Sequence, residues 1–126
     1  MLADETARRP SGPRQQIEIV GNAFTFACLI DARAAASNYL AQAAEGRSPE
    51  CQRLLSEASA ACSAFEWELR AWRKEGGLFP WNAESWTTET RRGEIELLEE
   101  ASRRDTAISM TLKAAAAALE REDVTP

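Results

Sequence analysis

The stretch SPECQRLLSEASAACSAFEWELRAWRKEGG, residues 48–77, decides the fold. It opens on Ser48-Pro49-Glu50: a hydroxyl that can cap a helix, a proline at the first helical position where no N–H is missed, and an acid facing the positive end of the helix dipole. It closes on Gly76-Gly77, a helix stop. Between these ends Cys51, Leu55, Ala58, Cys62, Phe65, Leu69 and Trp72 recur at 4-3-4-3-4-3 spacing with no polar intruder. That rhythm marks one face of a helix packed at a small angle against its neighbours. The gradient from Cys51 to Trp72 predicts close helix contact at the start of the seam and an aromatic layer at its end, with Phe65 and Trp72 in the core.

Upstream, the spacing predicts a helix from Gln16 to about Ala44, ended by Gly46 as a left-handed cap. Ile17, Val20, Phe24, Ala27, Asp31, Ala34 and Asn38 form one stripe, and Ile19, Ala23, Phe26, Ile30, Ser37 and Leu40 an adjoining one. Two stripes predict a helix that buries more than one face, with a narrow solvent side at Gln15, Glu18, Asn22 and Thr25. Residues 1–15, with Arg-Arg-Pro-Ser-Gly-Pro-Arg and no apolar period, read as a flexible tail before a single domain at 16–126.

Downstream, Leu98, Ala101, Asp105, Ile108, Leu112, Ala115 and Leu119 repeat at 3-4-3-4-3-4 in a third helix that ends near Glu122. Its start is open among Asn82, Ser85, Thr87 and Thr88, each able to cap it. The connection before it, Leu78-Phe-Pro-Trp-Asn-Ala-Glu-Ser-Trp-Thr87, reads as a turn because the residue before a proline is biased away from the helical region. The fold class is therefore all-α: an up-down-up bundle of three long helices, which dimerisation or a short extra helix before Gly93 would complete.

Composition agrees. Of 126 residues 24 are alanine, and a single Tyr with only 6 Gly leaves little material for a sheet and much for helices. The chain contains no histidine, which removes Ser-His-Asp and Cys-His catalysis, histidine haem ligation and the Glu-x-x-His di-iron pattern. A net charge of −5 disfavours nucleic acid as a partner. Cys28, Cys51 and Cys62 are odd in number, lack metal-ligand spacing and sit among apolar neighbours, which suits small buried hydrophobes in a reducing, cytoplasmic setting. The apolar run Ala23–Ile30 is too short to span a bilayer, so no membrane partner is expected. No metal or cofactor is implied.

Three groups of residues are candidates for function. Asp31 and Asp105 interrupt apolar stripes, where each needs a partner such as Arg33, Arg70 or Arg73; they form a register-fixing ion pair with arginine, or a rotation of the seam exposes one of them, or, as the alternative reading, they make a ligand-binding or catalytic carboxylate site with an arginine. Phe26, Trp67, Phe79, Trp81 and Trp86 are the candidate partner-binding aromatics, since tryptophans anchor interfaces and a single seam cannot bury them all; the other reading of the aromatic cluster is a small core that caps one end of the bundle. Arg70 and Arg73, beside those tryptophans, are the candidate cations, although a helix C-terminus favours cations in any case. The function expected from these features is non-enzymatic: a helical interaction module, self-associating or binding a protein partner.

Overall fold

The computed structural model describes residues 12–82 and 84–124, and within them it is all-α. The described residues form three helices, α1 (Gly12–Ala43), α2 (Pro49–Gly76) and α3 (Thr88–Val124), and no strand. The tail expected at 1–15 lies mostly outside the described residues, but Gly12 to Gln15 already belong to α1. Pro13 does not oppose this, because its missing N–H falls in the first turn, where no intrahelical partner exists.

The capping signals locate the helix boundaries. Ser48 Oγ accepts from the Cys51 N–H at 3.3 Å, and Gly46 closes the preceding turn at φ +74°. Of the four candidate caps for α3, Thr87 takes the role: its Oγ1 accepts from the Thr90 N–H at 3.1 Å and its carbonyl from the Arg91 N–H at 3.0 Å. Asn82 instead caps its own turn, accepting from the Ser85 N–H at 2.9 Å. Among the described residues no separate short helix lies just before Gly93, because the third helix runs through it unbroken from Thr88. Gly93 serves close packing instead: a Cβ there would lie 3.1 Å from a Leu78 methyl.

The described residues form two compact units. The first comprises the chain up to Ile30 with Glu68–Ala101; the second comprises Asp31–Trp67 with the chain from Ser102 onward. In the first unit the interior is built from Ile19, Ala23, Phe26 and Ile30 of α1, Leu69 of α2, Leu78, Phe79 and Trp86 of the connection, and Leu97 and Ala101 of α3. In the second, Leu40, Ala58 and Cys62 form one cluster with Ile108 and Leu112 against it, and Cys51, Leu54, Ala115 and Ala118 form another. Ser37 and Ser59 join α1 to α2 there by reciprocal bonds, each hydroxyl donating to the other's carbonyl at 3.0 and 2.8 Å.

Several seam assignments are corrected. α1 buries only the stripe of Ile19, Ala23, Phe26, Ile30 and Leu40, while Ile17, Val20 and Phe24 are exposed. Gln15, Glu18 and Asn22, expected in solvent, are half-buried flanks. Trp72 is 39% exposed rather than core, and Leu98 is exposed while Leu97 is buried.

An ion pair ties the last turn of α3 to the start of α2. The Ser48 N–H donates to Glu122 Oε1, and Arg47 lies 3.6 Å from the other carboxylate oxygen. The backbone donor holds the Glu122 carboxyl below the usual carboxylate range, opposed by desolvation and aided by Arg47. A depressed folded-state pKa contributes stability above the ordinary carboxylate pKa, and that stability is lost as pH falls through the depressed value. Glu122→Gln is therefore expected to flatten the acid limb of the stability curve, measured as urea midpoints from about pH 6 down to about pH 2; an unchanged limb would refute this role.

Candidate functional site

The sequence candidates separate into interior and surface groups. Phe26, Phe79 and Trp86 are 2%, 6% and 1% exposed, so the structure places these three of the candidate aromatics in the interior. Phe79 stacks on Phe26 with ring centroids 4.2 Å apart and planes at 7°. To present its ring there, Phe79 adopts φ 54°, a left-handed conformation uncommon for a large side chain. Its N–H donates to Glu94 Oε2 at 2.9 Å, and the Trp86 indole N–H donates to Glu94 Oε1 at 3.3 Å. Glu94 is the buried charged-type side chain of this unit and organises the connection from below.

Arg73 belongs to the same cluster. Its guanidinium donates to the Ala23 carbonyl at 2.7 Å and lies 5.2 Å from the Phe26 ring centroid and 5.6 Å from that of Trp81. Burial lowers its pKa from the usual value. Arg73 thus braces α2 against α1 through the Ala23 carbonyl and the Phe26 ring, and against the following connection through Trp81. Arg70 is exposed, as is Trp81 at 53%. An open cleft of about 580 Å³ lies in this unit, between Trp72, Gly76, Leu78 and the first turns of α3.

In the second unit Asp105 meets Arg33. One guanidinium nitrogen of Arg33 donates to both carboxylate oxygens at 2.6 Å, and the Arg33 side chain is 21% exposed against 45% for Asp105. Arg33 also lies 5.7 Å from the Phe65 ring centroid, with Arg104 at 5.5 Å. The nearby Cys62 thiol is pushed up by burial; Arg33 pulls it down and Asp105 raises it. Asp31 takes no part. Two residues along a helix are about 200° apart, so Asp31 points away from Arg33 and is exposed. The two aspartates do not converge, and no group of three or more potential metal ligands occurs among the described residues.

A different surface stands out, the outward face of α1. Ile17 is 74% exposed, Phe24 62% and Tyr39 70%, and Val20 and the Cys28 thiol are exposed on the same side. From Ile17 to Gln42 the only exposed charge on the helix is Asp31. α2 by contrast exposes Glu50, Arg53, Glu57, Arg70, Lys74 and Glu75. Within Arg14–Ala43 an 18-residue window reaches a mean hydropathy of 1.3, so the helix is long and apolar enough to cross a membrane, and 22% of that window is buried. The apolar period places Ile17, Val20 and Phe24 inside, where the structure exposes them, and carries no signal for Tyr39. Trp67, expected outside its seam, is 66% exposed on α2, and Met110 is 67% exposed on α3.

Comparison with models of protein families, with curated proteins and with solved structures finds no match to this chain.

Proposed function

We propose that the protein is a non-enzymatic helical interaction module that offers the outward face of α1 to a protein partner. The observation that carries this reading is the near absence of charge on that face. A water-facing helix surface normally alternates apolar and charged residues, and a contiguous apolar patch on a soluble chain marks a contact site. The buried aromatics and the Arg33–Asp105 pair support the reading indirectly, since they hold α1 in place rather than form a reaction centre. A protein partner fits better than a bilayer. Asp31 sits mid-face and Arg33 is bound to Asp105, and insertion would desolvate both. We place the module in a reducing, cytoplasmic setting, consistent with three unpaired cysteines. The net charge of −5 favours a protein over nucleic acid.

A photoreactive amino acid at position 24, with Ser56 on the charged face of α2 as the control position, tests this reading in cells that make the protein. Protein adducts at position 24 and none at 56 are expected. Equal adduct formation at both positions, or none at 24, would contradict it.

A further inference from the structure

We infer that the occupant of the α1 face is a second copy of this chain, docked antiparallel across Gly21 and Phe24; the inference rests on the interaction reading above. α1 is unbroken from Gly12 to Ala43, so the phase of its outward face follows from helix geometry alone. Along that face Arg14, Ile17, Gly21, Phe24, Cys28 and Asp31 recur at 3-4-3-4-3 spacing, the rhythm of a two-helix seam. The series is self-complementary on reversal. When a second copy runs antiparallel so that facing residue numbers add to 45, Arg14 meets Asp31, Ile17 meets Cys28 and Gly21 meets Phe24, each twice.

Each pairing joins opposite charges or a large residue and a small one. Gly21 is exposed, and a Cβ built on it meets nothing within 4 Å, so the space above it is open to the facing phenyl ring. Asp31, the lone exposed charge between Ile17 and Gln42, gains a cation. Arg14 is 82% exposed on its side chain and bonds Glu18 through Nε at 2.9 Å. A slip of one heptad sets Asp31 against Gly21 and leaves the carboxylate unpaired. A parallel arrangement stacks Phe24 on Phe24 and Asp31 on Asp31. Antiparallel docking also opposes the two helix dipoles. The two-fold operation uses the same patch on both chains, as closed dimers do.

Sedimentation of the 126-residue chain, from about 1 µM to about 1 mM, tests the inference over the range in which a small two-helix contact associates. The expected result is a concentration-dependent dimer. Gly21→Leu is expected to abolish it while leaving helical content and Tm unchanged or higher, since the residue replaces a poor helix former at an exposed position where a Cβ meets nothing within 4 Å. Asp31→Arg and Arg14→Asp are each expected to weaken the dimer about tenfold or more, and the double variant to restore it. A short bismaleimide is expected to join Ile17→Cys to the native Cys28 of the second copy. Cys51 and Cys62 are buried and do not compete.

A monomer throughout the range, or a dimer that survives Gly21→Leu, would overturn the inference. The interaction reading fails separately. If the chain is monomeric but position 24 still forms adducts with another protein, the reading stands without the homodimer. If position 24 forms no protein adduct and the chain floats with phosphatidylcholine–phosphatidylglycerol vesicles, both fall.

Discussion

Phe65→Ala is expected to cost about 3–5 kcal/mol, the range for deleting a large aromatic from a packed interior. Phe65 is 2% exposed, and two guanidinium groups, of Arg33 and Arg104, rest against its ring. Truncation leaves a cavity and also removes the surface against which Arg33 is held for Asp105. For a chain of this length each kcal/mol lowers Tm by several degrees, so a fall of about 10 °C or more is expected in a thermal melt. Phe65→Leu, which keeps most of the volume, is expected to lose less. A truncation costing under about 1 kcal/mol would show that the second unit does not pack around this ring.

Glu94→Leu is the second large effect. The carboxyl accepts from the Phe79 backbone N–H and the Trp86 indole N–H, and all three residues are buried. Leucine fills the volume but leaves two donors without partners, at about 1–3 kcal/mol each. Glu94→Gln keeps one acceptor oxygen and is expected to fall between leucine and the natural residue. Tryptophan emission supplies an independent reading, since loss of the Trp86 anchor exposes that indole to water and shifts its emission to the red. Unchanged stability and emission in Glu94→Leu would contradict the bridging role.

The helices were legible because their boundaries are chemical. Ser48-Pro49-Glu50, Gly46 and the proline at position 80 act locally, through hydrogen bonds and fixed backbone angles that need no knowledge of the rest of the chain. Seams were legible only where the helical period was followed. A strict seven-residue repeat drifts by about 20° per heptad against a straight helix. Over the three heptads from Cys51 the drift reaches about 60°, which carries Trp72 out to 39% exposure while Cys51, Ala58 and Phe65 stay buried. The same rotation exchanges Leu98 for Leu97, and it brings Glu94 onto the buried side of α3. Following the 3.6-residue period back from Ala101 leads through Leu97 to Glu94, so the signal was present in the spacing.

The interaction surface was harder to read for a physical reason. α1 carries two apolar stripes, and apolar periodicity alone does not say which is covered. The deciding residues are polar. The buried stripe accommodates Arg33, which finds Asp105 across the interface with α3, whereas the other contains Asp31 and Asn38 with no such pairing, and so turns outward. The aromatic cluster divided for a similar reason. Phe26, Phe79 and Trp86 have an acceptor, a stacking partner or a cation waiting inside, and Trp67 has a position on α2 away from its seam.

The reactivity of Cys28 tests the central claim most directly, that the outward face of α1 is a contact surface. This thiol is exposed on that face, while Cys51 and Cys62 are buried and report any unfolding. The measurement is the rate of maleimide labelling at Cys28 in dilute purified protein, in concentrated protein and in intact cells that make it. Rapid labelling is expected when the protein is dilute and protection in cells, with protection at high concentration as well where the partner is a second copy. Equal labelling rates under all three conditions, with Cys51 and Cys62 unreactive throughout, would contradict it.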